Sequence, residues 1–225
     1  MVHVCKENVN DQTRTKGRGS FHISTSSVKL VPMTIDSLAK KYRTPKAVQK
    51  FLRALPYNRE ERGETLRSAR SAAELGKAHC LEAAFLAAAI LERNGYPPLV
   101  LSFESVDGLD HVIYVFQENG LWGSVARSRD EGLHGRPAIY RSVRDLALSY
   151  FDPYVDKSGR ITAYQLAHLD ETNTDWRADR KHLWKAETYL LKLKHRPLKS
   201  SEARYRRLKN AYIKNGPMKP KKFWW

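Results

Sequence analysis

The sequence predicts an α+β fold in which a buried, cysteine-bearing helix packs on an antiparallel β-sheet, with a helical C-terminal extension. Three observations carry that expectation. From Cys80 to Asn94 nearly every residue favours helix and most are apolar, and a helix apolar on almost every side belongs in the middle of a domain. PLVLSFES (98–105), HVIYVFQ (111–117) and LWGSVARS (121–128) are strand-like runs separated by the turns VDGLD and Asn119-Gly120. Hydrophobic residues make up 41% of the 225 and charged residues 28%, the balance of a chain that buries a core rather than a disordered one.

The elements follow in order. Residues 1–27 are polar and without a period and read as disordered or loosely attached; VKLVPM (28–33) reads as a short strand or an extended lead-in. Thr34 caps a short helix, and Thr44-Pro45 opens another in which Val48, Phe51, Leu52 and Leu55 form one stripe before Pro56. TLRSARSAAELG is expected to be helical up to Gly76, and Gly95 with Pro97-Pro98 closes the helix of Cys80. After the three strands, RDEGLHGRP (129–137) reads as a polar loop. Ser142 caps a helix over VRDLALSYF, ITAYQLAHL (161–169) reads as a strand, and HLWKAETYLLKLKH as an amphipathic helix with Trp184 and Tyr189 in the core. A last basic helix starts at Ser200 or Ser201 and ends at Gly216-Pro217.

Charge divides the chain. Residues 1–70 hold 15 Lys+Arg against 6 Asp+Glu, residues 71–176 hold 9 against 15, and residues 177–225 hold 16 against 3. The expected organisation is therefore a loose N-terminus (1–27), an α+β domain (28–176) and a basic helical extension (177–225). With a net charge of +16, the extension reads either as an arm that binds polyanions, nucleic acid among them, or as helix faces kept soluble by Lys and Arg.

Cys5 and Cys80 are the only cysteines, too few for a disulfide framework or a Cys-rich zinc module. No apolar run reaches the roughly 18 residues of a membrane span. No signal pattern opens the sequence, so the cytoplasm is the expected compartment. Neither a GxGxxG, a Walker nor an HExxH pattern occurs, and DPYVDKSGRIT lacks the closing Glu of a calcium loop, so no cofactor and no metal are expected.

Cys80 sits where a helix begins, just after Gly76, and a thiol at a helix N-terminus is biased toward thiolate. Lys77 and His79 add positive charge nearby. The competing reading is a small buried apolar cysteine. His111, 31 residues on, opens the strand HVIYVF, where a strand packed on the Cys80 helix brings an imidazole against the sulfur; on its own it reads as a surface histidine beside Asp107 and Asp110.

The stretch from about Thr44 to Ser128 resembles the transglutaminase-like cysteine-protease superfamily. The match lies in the Cys at the head of a buried helix (HCLEAAFLAAAILERNGYPPLVL), the His opening DHVIYVF, and the Trp strand after a Gly turn (NGLWGSVARS). The whole chain also resembles a group of uncharacterised bacterial proteins related to that superfamily. The resemblance implies a papain-like core, Cys80 as nucleophile, His111 as general base, and a peptide or small amide-bearing substrate cut by hydrolysis or used for acyl transfer. In the family an Asp usually lies four residues after the strand Trp; here that residue is Ala126. Ser124 or Ser128 on the same strand face, Asp130 just past it, and Glu104 or Asp110 from another side are the candidates to hold the imidazole, with Ser124 and Asp130 foremost. The departure also opens the reading of a catalytically weak or inactive binding module. His134, with Arg127, Arg129 and Arg136, reads either as the lining of a cleft for an anionic group or, preferred here, as a solvated loop. Phe223-Trp224-Trp225 reads as a contact-forming tail.

Overall fold

The structure, a computed structural model, describes residues 33–108 and 111–221. Cys5 and the rest of residues 1–27, most of the lead-in at 28–33, Asp110 and the aromatic tail lie outside the described residues.

Four helices come first. Thr34 caps α1 (Ile35–Lys41), its hydroxyl accepting from the Ser37 N–H. Thr44 caps α2 (Pro45–Ala54), with Pro45 in the first turn as expected of a residue lacking a donor. Helix α3 (Ala69–Leu75) ends at Gly76, whose φ of 63° is left-handed and closes the chain back on Ala72 and Ala73. Helix α4 (Cys80–Glu92) is buried from Cys80 to Leu91. The strands β1 (Leu99–Ser105), β2 (His111–Glu118), β3 (Leu121–Val125) and β4 (Arg136–Tyr140) form a meander. Then come α5 (Val143–Tyr154), β5 (Ile161–His168), α6 (Trp184–Lys192), the short β6 (Arg196–Pro197) and α7 (Glu202–Asn215). The six strands make one antiparallel sheet in the order β4-β3-β2-β1-β5-β6.

The sheet is the middle layer. Val100, Val112, Tyr114 and Phe116 face α4 and the other N-terminal helices. Leu101, Phe103, Ile113 and Val115 face α5, against Leu146, Ala147, Tyr150 and Phe151. Strand β2 is covered on both sides, which is why HVIYVF reads as a continuous apolar run rather than an alternating one.

Several expectations are corrected. The helix expected from Thr65 starts only at Ala69, because the Thr65 and Arg67 N–H groups donate to Glu60 and Glu82 and hold the chain extended. Strand β3 ends at Val125, where Gln49 takes over both backbone groups of Ala126. Part of the expected loop is β4, an edge strand; Pro137 lowered its strand signal, and an edge is where a sheet tolerates proline. Trp184 is 40% exposed and stacks on His182, while Leu183, Ala186 and Leu190 fill the core in its place. Residues 183–198 pack into both cores and supply β6, whereas α7 has no fully buried residue. Among the described residues no helix is long and apolar enough to cross a membrane.

Candidate active site

Cys80 is the first residue of α4 and is 1% exposed. The preceding residues fix where the helix begins: Ala78 bridges to Tyr57, and His79 is the N-cap. The His79 Nδ1 accepts from the Leu81 N–H at 3.3 Å, and its Nε2 lies 2.9 Å from the Thr65 carbonyl, to which it donates. One nitrogen accepts and the other donates, so the ring is neutral. His79 therefore adds no charge to the thiol, contrary to the expectation from its position.

Two residues further on, Glu82 is fully buried. Its carboxylate accepts from the His79 N–H, Asn58 Nδ2, the Thr65 hydroxyl, the Arg67 N–H and the Arg67 guanidinium, at 3.0–3.2 Å. These bonds tie the loop of residues 57–67 onto the helix start. A cavity of about 580 Å³ opens beside it, with Tyr57, Arg59, Thr65, Arg67 and Lys77 in its wall.

His111 is 1% exposed. It pairs across the sheet with Phe103 and stacks on that ring at 6.2 Å, and Tyr150 of α5 lies at the same centroid distance. The imidazole thus belongs to the α5 face, while α4 covers the other face. Its Nε2 is buried and has no hydrogen-bond partner among the described residues. Arg127, two residues past β3, lies over the ring of Tyr57, which bridges to Ala78. The β2–β3 register pairs Tyr114 with Val125, so the chain leaves β3 toward the end of the sheet where β2 begins.

Three of the groups expected to orient His111, Ser124, Asp130 and Glu104, have other partners. The Ser124 hydroxyl shares a 2.7 Å hydrogen bond with the Tyr150 hydroxyl and accepts from the Arg136 N–H. Asp130 lies 3.5 Å from Arg129 at the start of a 3-10 turn (Glu131–Leu133). The Ser128 carbonyl is 3.2 Å from the His134 Nε2. Glu104 stands 3.0 Å from the Nδ1 of His195, whose Nε2 is 3.2 Å from the Ser102 hydroxyl. Among the described residues no carboxylate is hydrogen-bonded to His111.

The loop after β3 is buried rather than solvated from Gly132 to Arg136. Gln49 holds it: its amide oxygen accepts from the N–H groups of Ala126 (2.8 Å) and Gly135 (3.1 Å), and its amide nitrogen donates to the Ala126 carbonyl. Arg136 is fully buried, donates to the Gly132 and Gly135 carbonyls and lies 4.1 Å from the Tyr150 ring centre. Arg129 pairs with Asp156. His134 accepts from the Arg53 Nε at 3.2 Å. Burial, with Arg127 and Arg53 close by, holds its pKa down at about 4. Sequence reasoning missed Gln49, Glu82 and Tyr150; only Glu82 left a signal, three residues after the N-cap, where a capping-box carboxylate belongs.

No group of three His, Cys, Asp or Glu placed to hold a metal ion occurs among the described residues. No protein-family model matches the chain, and no curated protein matches its sequence.

Proposed function

We propose that the protein is a transglutaminase-like thiol enzyme with a papain-like core, acting in the cytoplasm on amide or acyl bonds of a peptide or small substrate. Cys80 attacks the carbonyl carbon as its proton passes to His111. The positive end of α4 at Cys80 stabilises the oxyanion, and His111 returns the proton to the leaving amine. Water then hydrolyses the acyl-enzyme, or an amine takes the acyl group. The observation that carries this reading is the buried, unpartnered Nε2 of His111. Leaving such an atom unsatisfied costs on the order of 1–3 kcal/mol, a cost that a proton-transfer role accounts for. The position of Cys80 at the head of a thirteen-residue helix supplies the second half.

The test is site-resolved alkylation of the native protein at neutral pH. Cys80 is expected to react with iodoacetamide faster than a free thiol, and His111→Gln to slow it at least about tenfold. A Cys80 that reacts no faster than a free thiol and is indifferent to His111 rejects the enzyme. A second reading, an inactive binding module of the same fold with a basic C-terminal region for polyanions, is favoured by the engagement of Ser124 with Tyr150 and by the exposed arginines of α7, Arg204, Arg206 and Arg207. In that case Cys80→Ala leaves the biological role intact.

A further inference from the structure

The segment leaving β3 brings a cationic group to the end of the sheet where α4 begins. Arg127 is half-buried there. Its Nε donates to the carbonyl of Leu55 at the end of α2 (3.1 Å), one terminal nitrogen donates to the Ser128 carbonyl, and the guanidinium carbon lies 5.5 Å from the Tyr57 ring centre. The end of α2 through Tyr57, and the neighbouring Ser128, thus fix its orientation. Among the described residues no carboxylate lies within ion-pair distance of it, and its other terminal nitrogen makes no hydrogen bond. Arg53 and Arg59 add to the positive field around it, with Glu131 the opposing carboxylate. His134, neutral at ordinary pH, lies between Arg53 and Arg127. Tyr57 and Arg59 also line the 580 Å³ cavity beside the start of α4. Two other arginines of the loop serve differently, Arg136 as a buried strut and Arg129 as the partner of Asp156.

A guanidinium held in place with one terminal nitrogen unengaged can donate the N–H groups of that nitrogen to a planar or tetrahedral oxyanion. We infer that Arg127, flanked by Arg53 and Arg59, is an oxyanion-recognition site that orients substrates carrying a carboxylate or phosphate group close to the bond Cys80 attacks. Its assignment to the substrate rests on the proposed thiol chemistry; its existence as an anion site does not.

The experiment has two arms on the full chain. In the first, inorganic phosphate and glutarate are titrated by calorimetry into the wild type, Arg127→Gln, Arg127→Lys and Arg59→Gln. Saturable binding of at least one anion is expected, weakened about tenfold or more by Arg127→Gln and less by exposed Arg59→Gln. Arg127→Lys keeps the charge and loses the fork, so it separates charge from geometry, and preference for one probe separates phosphate from carboxylate. Arg59→Gln keeps the test open if the Arg127 variants fail to fold. No binding of either anion, or binding unchanged in all variants, overturns the site. In the second arm Cys80 is alkylated with anionic iodoacetate and neutral iodoacetamide. Their rate ratio is expected to fall about tenfold in Arg127→Gln. A ratio that does not move while anion binding persists overturns the substrate assignment. A thiol inert to both reagents, with anion binding intact, removes the proposed enzyme and leaves the anion site standing.

Discussion

Glu82 shows what a single buried charge does here. Five donors from four residues converge on it, and Arg67, with its side chain 18% exposed, is its ionic partner. Glu82→Ala strands those donors and is expected to cost about 3–5 kcal/mol in urea unfolding, whereas Asn58→Ala, which removes one donor, should cost about 1–2 kcal/mol. His134 is the second such residue. Its folded pKa of about 4 lies below the ordinary value near 6.5, so the unfolded chain binds the proton more tightly. The stability this contributes is complete above about pH 6.5 and is lost as the pH falls through 4. The effect is at most about 3 kcal/mol, and unfolding midpoints measured between pH 7.5 and 4 should show it. In His134→Gln that part of the acid slope should disappear. The thiol chemistry proposed for Cys80 and His111 belongs to the same scale: it rests on one nitrogen without a partner among the described residues and one helix terminus, and alkylation rates test both.

At the scale of elements, the segment from β3 to β4 is the part on which the site depends. It has little regular structure of its own, and Gln49 of α2 substitutes for a strand by bonding both backbone groups of Ala126 and the N–H of Gly135. Gly135 is required because a Cβ there would overlap the Gln49 amide and the Ser124 carbonyl. Gly135→Ala is expected to destabilise by about 1–3 kcal/mol. Combined with Gln49→Ala it should cost less than the two single changes together, since both break the same clamp; a double-mutant cycle measures the difference. Gly123 plays the matching part between β2 and β4, where a Cβ would sit 2.5 Å from the Phe116 ring and 2.9 Å from the Ala138 nitrogen.

For the whole molecule, the sheet is closed by chain that composition assigns to a basic extension. Leu183, Ala186 and Leu190 belong to the α4-side core, Leu198 to the α5-side core, and β6 pairs with β5. A chain ending at Trp176 should therefore lose cooperative thermal unfolding, while one ending at Lys199 keeps it with a lower midpoint, because α7 contributes only the partly buried Tyr205 and Leu208. The local layout was legible in the sequence: Thr34, Thr44, Ser142 and Ser201 all cap the helices expected of them, and the three strands of the meander run in the expected order. Those signals act over three or four residues, so they survive without knowledge of the fold. The site was legible only as residue types. Period-two alternation put Ser124 on one strand face, but Tyr150, 26 residues away, claims its hydroxyl; Glu104 was a candidate for His111, and His195, 91 residues away, faces it instead. The sequence by itself determined where helices and strands begin, because caps, turns and apolar periods are local. Only the tertiary structure decided which polar groups meet and which nitrogen is left open, because each such choice is a competition among partners brought together by long-range packing.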